Sequence, residues 1–222
     1  MVDYDALYDI QDTVLHIIFE KASEFYLTGG TCISRFYYAK RYSDDLDLFT
    51  NFSNTFSFSI KEILQRLKNN KLPYSIQTET KDFLRIIVKE KSQPLQIDFI
   101  NDRVKRFGEL RVKDTINLDN MQNILSNKIT AVISRDNPKD IFDIYLISLK
   151  EDFDWNEIVY QAKEKMHFEK ENLIFRLNNF PRDLLNTIHL IDNDFLKDFD
   201  KNFRKITEDI IDETKNNPAN FQ

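Results

Sequence analysis

The chain has 222 residues, of which 41% are hydrophobic and 31% charged, and this length and apolar content exclude intrinsic disorder and suit one domain or two small ones. The formal net charge of −6 argues against a general nucleic-acid binder, because nonspecific affinity comes from Lys and Arg, although a local basic patch stays open. No apolar run reaches the roughly 18 residues that cross a bilayer and no secretory leader follows Met1, so we expect a cytoplasmic protein without a membrane partner.

The first predicted elements are a helix, a short strand and a glycine turn. Apolar residues at helical spacing predict a helix over residues 5–22, and residues 25–28 predict a buried strand. Gly29 and Gly30 then precede a predicted helix that opens at Thr31. The chain has only 3 glycines, so a pair at a strand-to-helix turn favours an anion site at the helix start. A tight turn without a ligand is the alternative.

The next element, residues 45–50, is a predicted strand with alternating carboxylates. Asp45 and Asp47 would project from one face, while Leu46 and Leu48 enter the core. Two neighbouring carboxylates repel each other unless a cation lies between them, and Mg²⁺ is held by one or two carboxylates together with substrate phosphates. An Asp-x-Asp pair also occurs in solvated turns, but the diglycine turn before it favours a site for phosphoryl or nucleotidyl transfer.

A mixed sheet and a third acidic residue are predicted in the rest of the first half. A helix over residues 60–67 is followed by strand patterns over residues 75–81, 84–89, 95–100 and, more weakly, 109–112. Asp98 interrupts the third of these strands, which indicates a third metal ligand or a base. A strand-end aspartate that faces water is the alternative.

The second half is predicted to be helical, with a domain boundary near residue 118. The predicted helices span residues 120–134, 139–149, 156–166, 170–178, 183–190 and 195–214, and a loose tail follows from Lys215. We therefore predict an α+β fold in which an N-terminal domain over residues 1–118 carries a mixed sheet flanked by helices. A C-terminal helical domain over residues 119–222 would follow it.

Charged residues in two of these helices lie at helical spacing. Lys128 and Arg135 share a face of one helix, and Asp140 and Asp143 share a face of the next. One interpretation is a salt bridge between the two helices. The other, given a nucleotide site elsewhere in the chain, is that Lys128 binds phosphate and Asp143 orients or deprotonates an acceptor hydroxyl.

Three segments carry these features in a fixed order. They are Leu27-Thr28-Gly29-Gly30-Thr31 with Arg35-Phe36, then Arg41-x-Ser43-x-Asp45-Leu46-Asp47-Leu48-Phe49, then Lys128-x-x-Ala131-x-x-x-Arg135 leading to Lys139-Asp140-x-x-Asp143-Ile144-Tyr145. Together they resemble the AbiEii nucleotidyltransferase toxins of bacterial type IV toxin–antitoxin and phage abortive-infection systems, which are related to mycobacterial tRNA-modifying toxins. The resemblance implies a polymerase-β-like nucleotidyltransferase domain followed by helices, with Mg²⁺ as cofactor and an NTP as donor.

The resemblance also implies roles for individual residues, with Lys128 as the conserved lysine of the family, Asp143 as the acidic residue proposed as base, and Asp98 as a third carboxylate by strand context alone. The predicted sets are a nucleotide-binding set of Gly29, Gly30, Thr31 and Arg41, a catalytic set of Asp45, Asp47, Lys128 and Asp143, and a metal-binding set of Asp45, Asp47 and Asp98. The helical domain would contribute Lys128 and Asp143 to the site.

The implied activity is Mg²⁺-dependent transfer of NMP from an NTP to an acceptor hydroxyl, with an RNA 3′ end, tRNA above all, as the acceptor. A type IV system implies an antitoxin that acts without a stable complex with the toxin. Two alternatives stay open. One is a catalytically inactive module of the same fold that binds a nucleotide or a partner, and the other is NMP transfer to a small molecule such as an aminoglycoside.

Overall fold

The computed structural model describes residues 2–21, 23–90 and 93–221. The chain forms two compact units, neither of which is continuous in sequence. Of the described residues, unit 1 comprises those up to 32 together with those within 43–105 and 109–119, and unit 2 comprises those within 33–42 and 106–108 and those from 120 onward. The predicted division at residue 118 stays a prediction.

Unit 1 is built on a mixed sheet, as the strand patterns predict. In the described residues its strands are β1 (Tyr26–Thr28), β2 (Asp45–Asn51), β3 (Tyr74–Glu79), β4 (Phe83–Glu90), β5 (Gln93–Asp102), β6 (Arg111–Lys113) and β7 (Ile116–Leu118). Their order in the sheet is β3-β4-β5-β2-β1-β7-β6. Strand β2 is parallel to β5 and antiparallel to β1, and β1 is parallel to β7. The pairs β3–β4, β4–β5 and β6–β7 are antiparallel.

Two helices of unit 1, α1 (Tyr4–Phe19) and α3 (Phe56–Asn69), contact each other, and α1 packs on the sheet. The apolar residues whose spacing predicts the first helix are buried along one side of α1: Leu7, Ile10, Val14, Ile17 and Ile18. The sheet contributes fully buried side chains from its central strands: Leu46, Leu48, Leu95, Ile97 and Phe99. Burial of this apolar area drives the folding of unit 1. The predicted end of the first helix at Ala22 lies outside the described residues.

The helix predicted after the glycine turn is shorter and less regular than expected. A four-residue helix, α2 (Gly29–Cys32), follows β1 directly. Residues Ile33–Tyr37 then form a wider, π-type turn, which begins unit 2 and is closed by a bond from the Tyr38 N–H to the Ile33 carbonyl at 2.7 Å. A single regular helix starting at Thr31 is therefore not what the chain adopts.

Unit 2 is mainly helical. Its main helices are α4 (Met121–Ser134), α5 (Pro138–Ser148), α6 (Trp155–Lys165), α7 (Lys170–Asn179) and α8 (Phe199–Ile211). The Asn120 side chain caps α4 by accepting from the Asn123 N–H at 2.9 Å, and Asn137 caps α5 by accepting from the Lys139 N–H at 3.0 Å. Large side chains fill the interior: Phe142, Tyr145, Trp155 and Phe203.

Several predicted elements differ from the observed ones. Strand β7 was not predicted, because three residues are too few to show an alternating pattern. The helix predicted over 183–190 is a 3₁₀ helix, Arg182–Thr187, and the last predicted helix begins only at Phe199, after a 3₁₀ turn over Asn193–Leu196. None of the described helices has both the length and the apolar composition needed to span a membrane.

The prediction of a loose tail is wrong for Lys215–Asn216. These residues form β9, which pairs with β8 (Phe153–Asp154). Asn216 is buried, and its Nδ2 donates to the carbonyls of Ser148 at 2.8 Å and Glu151 at 2.7 Å. Hydrogen bonds to backbone carbonyls thus fix a segment that its polar composition marks as loose. The last predicted tail residue, Gln222, lies outside the described residues.

Candidate functional site

Strand β2 presents Asp45 and Asp47 on one face of the sheet. Leu46 and Leu48 are fully buried, whereas the two aspartates are half-buried, which confirms the predicted alternation. Because β2 lies between β1 and β5, the two carboxylates stand near the middle of the sheet rather than at an edge. Both neighbouring strands can therefore supply further groups to the site.

The diglycine turn packs directly against Asp47. Thr28, the last residue of β1, is opposite Asp47 in the antiparallel register, and Gly29 follows with a φ of +70°. A Cβ atom at Gly29 would lie 2.5 Å from Asp47 Oδ2. Position 29 therefore favours glycine for its backbone angle, and any other residue would also force the Asp47 carboxylate to move. The glycine turn and the acidic pair, predicted from separate patterns, meet in the structure.

The short helix α2 changes the physical basis of the predicted anion site. A helix of four residues has little macrodipole, so it adds little to the attraction of an anion. Any contact that this turn makes with a phosphate must come from its individual backbone N–H groups. Gly29 and Gly30 are both half-buried, so part of this backbone is accessible. Their predicted role in phosphate binding stays a prediction.

Thr31 turns its hydroxyl into the protein. The side chain is 1% exposed, and its Oγ1 donates to the backbone carbonyl of Asp45. Its Oγ1 is also hydrogen-bonded to Ser43 Oγ at 2.8 Å. This arrangement ties the start of β2 to α2 and so fixes the backbone that carries Asp45. The predicted contact between Thr31 and phosphate stays a prediction, and the burial of the hydroxyl favours a supporting role.

Ser43 is a site-supporting residue that the sequence reasoning did not single out. It is 2% exposed, its N–H donates to Tyr8 Oη at 3.2 Å, and its carbonyl accepts from Gln11 Nε2 at 3.2 Å. Together with its bond to Thr31, these contacts anchor the segment just before the acidic pair. A signal was present, since Ser43 lies two residues before Asp45 within the second motif of the resemblance.

Asp98 lies beside Asp47 but is engaged by an arginine. The two aspartates are paired in the parallel register of β2 and β5, and Arg85 is opposite Asp98 on β4. Arg85 Nε donates to Asp98 Oδ1 at 2.8 Å and Nη2 donates to Oδ2 at 2.6 Å. The hydrogen bond with Asp98 raises the pKa of Arg85, and the charges of Asp98, Asp47 and Asp45 contribute, outweighing partial burial.

The ion pair between Asp98 and Arg85 bears on the two predicted roles of Asp98 and on the alternative of a water-facing aspartate. The water-facing alternative is wrong, because Asp98 is buried in the middle of β5. That Asp98 acts as a third metal ligand or as a base stays a prediction. Either role would require Asp98 to break at least one of its two hydrogen bonds with Arg85.

The acidic pair fits a divalent cation that shares its ligands with a substrate. Among the described residues, no group of three or more His, Cys, Asp or Glu side chains is arranged to hold a metal ion. Two adjacent carboxylates supply the hard oxygen ligands that Mg²⁺ takes in small number, since its other positions are filled by water and phosphate oxygens. Asp45 and Asp47 therefore suit a metal bound with a nucleotide rather than a closed protein cage.

Unit 2 holds the other predicted residues in a buried cluster of charges. Lys128 Nζ on α4 lies 2.9 Å from Asp140 Oδ1 and 2.7 Å from Asp143 Oδ2, both on α5. Arg41 forms a bidentate pair with Asp143, and Arg135 Nε lies 2.7 Å from Asp140 Oδ2. The predicted salt bridge between the two helices is thus confirmed. The predicted roles of Arg41, Lys128 and Asp143 toward a nucleotide stay predictions.

The cluster holds its members charged despite their burial. Burial on its own would raise the pKa of Asp143, but Arg41 and Lys128 outweigh it and hold the pKa below its usual range. Asp140 behaves in the same way, with Lys128 and Arg135 as the opposing charges. Burial would lower the pKa of Lys128, yet the two aspartates raise it, even against the nearby Arg41. All these groups are therefore ionised at neutral pH.

Solved structures of other proteins share the fold of this chain. The structure resembles JHP933 from Helicobacter pylori, with a TM-score of 0.61 and 16% identity, covering 96% of this chain and 95% of that one. It also resembles MenT4, a nucleotidyltransferase toxin from Mycobacterium tuberculosis H37Rv, with a TM-score of 0.68 and 12% identity, covering 95% of this chain and 84% of that one. At these identities the likeness shows the fold alone. A comparison with curated proteins finds no significant match.

The family itself follows from the sequence match. The model of the nucleotidyl transferase AbiEii toxin family, type IV toxin–antitoxin system, matches residues 16–221. This range includes the glycine turn, the acidic pair and the charged cluster of unit 2. The chain therefore belongs to the AbiEii family of nucleotidyltransferase toxins and is a nucleotidyltransferase.

Proposed function

We propose that this protein transfers a nucleoside monophosphate from an NTP to an RNA 3′ end, tRNA above all, in a Mg²⁺-dependent reaction. The observation that carries the proposal is the contact between the glycine turn and the acidic pair, in which a Cβ at Gly29 would lie only 2.5 Å from Asp47 Oδ2. A turn of accessible backbone next to two adjacent carboxylates is what a triphosphate with its metal ion requires.

Asp45 and Asp47 would hold the Mg²⁺ ion, which when bound supplies neutralisation of the phosphate oxygens. The Gly29–Gly30 backbone would receive the outer phosphates, and Thr31 with Ser43 keeps the start of β2 in place. The acceptor hydroxyl oxygen forms a bond to the α-phosphorus while the bond from that phosphorus to the bridging oxygen breaks. Pyrophosphate leaves, and the hydroxyl proton is released to water.

The remaining parts of the proposal rest on the family. We propose on that basis that residues 1–118 form a polymerase-β-like domain and residues 119–222 form a helical domain. Lys128 would be the conserved lysine of the family. The RNA acceptor rests on the relation of the family to tRNA-modifying toxins, since the net charge of −6 gives no general affinity for RNA. An antitoxin that acts without a stable complex would follow from the type IV assignment.

The test compares Asp45→Asn with Asp44→Asn, which changes the neighbouring carboxylate that the proposal leaves outside the site. Each protein is incubated with labelled NTPs, Mg²⁺ and total tRNA, and label transferred to RNA is measured. We expect transfer by the wild type and Asp44→Asn, and a loss of about 100-fold or more in Asp45→Asn, because a metal ligand is removed. Equal transfer by Asp45→Asn, or no transfer by the wild type, would contradict the proposal.

A further inference from the structure

The carboxylate of Asp143 is enclosed by two cations of unit 2. Arg41 Nε donates to Oδ1 and Arg41 Nη2 donates to Oδ2, each at 2.8 Å, and Lys128 Nζ lies 2.7 Å from Oδ2. Asp143 is 0% exposed and Arg41 is 2% exposed. Both carboxylate oxygens therefore face charged donors within the protein, and neither faces solvent.

These contacts oppose a role for Asp143 as a general base. A base must come within about 2.6–3.2 Å of the proton that it removes, directly or through one water. For Asp143 this approach would require the separation of a bidentate, buried ion pair. The two cations also lower the pKa of Asp143, which makes its carboxylate a weaker base.

The ammonium group of Lys128 can donate a further hydrogen bond to an anion. Its side chain is 11% exposed, and the described residues supply acceptors for two of its three N–H donors, namely Asp140 and Asp143. In this part of the described chain three cations, the third being Arg135, surround two carboxylates. The third N–H of the Lys128 ammonium can donate to an oxygen of an anionic ligand such as a triphosphate.

We infer that Asp143 is a positioning residue, which holds Arg41 and Lys128 so that the Lys128 ammonium is oriented to bind the triphosphate, and that it does not take the proton of the acceptor hydroxyl. The inference rests on the proposed function, because the triphosphate is the ligand that it invokes. Asp140 holds the same ammonium from a position three residues earlier on α5, with Arg135 as its second partner.

The first test measures nucleotide binding without transfer. Calorimetry with Mg²⁺ and an α,β-methylene NTP analogue compares the wild type with Asp143→Asn, which keeps the size of the side chain and removes its charge. We expect the Kd to rise by about tenfold or more, because Lys128 and Arg41 lose the anion that fixes them. An unchanged Kd in folded Asp143→Asn would overturn the inference.

A second variant keeps the test open if Asp143→Asn fails to fold. Asp140→Asn removes the other partner of Lys128 and should also weaken binding of the analogue, whereas a base role for Asp143 predicts no change there. The matched control is Asp136→Asn, an exposed carboxylate two residues before α5 that pairs with Arg176, and its Kd should equal that of the wild type. If Asp140→Asn also binds like the wild type, the positioning role fails.

The pH dependence of transfer separates the two roles. If Asp143 is a base, the loss of kcat/KM in Asp143→Asn should shrink by about tenfold per pH unit between about pH 7 and 9, as hydroxide replaces the base. A positioning role predicts a loss that stays constant over this range, accompanied by a raised KM for the NTP. If the wild type binds the analogue but transfers nothing, the proposed function fails, and the binding measurements alone decide the role of Asp143.

Discussion

The substitution Gly29→Ala tests the contact between the glycine turn and Asp47. Two costs follow from the structure. A residue with a Cβ at a φ of +70° is strained by about 1–2 kcal/mol, which for a chain of this size lowers Tm by about 2–8 °C. The new Cβ would also lie 2.5 Å from Asp47 Oδ2, so the carboxylate must move by about 0.9 Å to reach an ordinary contact of 3.4 Å. A displacement of about 1 Å at a catalytic group costs about 100-fold in rate.

The matched control is Gly108→Ala, since Gly108 has a φ of +72° and its Cβ would lie 2.8 Å from Asn120 Nδ2, at the cap of α4. Both variants should lose comparable stability in thermal unfolding, but only Gly29→Ala should lose nucleotide transfer and affinity for Mn²⁺, measured by electron paramagnetic resonance in the presence of NTP. A folded Gly29→Ala with the kcat/KM and Mn²⁺ affinity of the wild type would show that the glycine turn does not set the position of Asp47.

Three further predictions concern stability and reactivity. Thr31→Val removes the hydroxyl that donates to the Asp45 carbonyl and should cost about 1–3 kcal/mol in urea unfolding, whereas Thr31→Ser should recover most of it; equal losses would contradict this role. The pKa values of Asp140 and Asp143 are lowered in the folded state, so their stabilisation is present above their ordinary pKa of about 3.9 and is lost as the pH falls through the folded values. Urea unfolding at a series of pH values should show this decline, and Asp140→Asn should reduce it. Burial raises the pKa of the Cys32 thiol, so a thiol reagent at pH 8 should label it only after unfolding; rapid labelling of native protein would show that it is accessible.

The acidic pair and the glycine turn of the candidate site could be predicted, because each lies within a short segment of the sequence. Alternation over four residues is enough to place Asp45 and Asp47 opposite Leu46 and Leu48. The scarcity of glycine made the pair before Thr31 conspicuous. The pattern did not reveal that the turn packs on Asp47, since that contact depends on the antiparallel register of β1 and β2.

The features that sequence reasoning missed depend on contacts between distant segments. Arg85 engages Asp98 because β4 and β5 are neighbours in the sheet, and no spacing in the chain indicates this pair. Arg41 meets Asp143 across 102 positions of sequence, so the motif that placed Arg41 with the nucleotide could not show that its guanidinium is already bonded. Burial of Thr31 likewise depends on packing rather than on its place after the glycines.

The proposed transfer depends on a metal ion that Asp45 and Asp47 hold together with a nucleotide. Mn²⁺ binding should be titrated by electron paramagnetic resonance, with and without a non-hydrolysable NTP analogue, in the wild type, Asp45→Asn, Asp47→Asn and Asp44→Asn. We expect nucleotide-dependent Mn²⁺ binding by the wild type and Asp44→Asn, and its loss in both of the other variants. Undiminished binding in folded Asp45→Asn and Asp47→Asn would show that these carboxylates do not hold the metal ion.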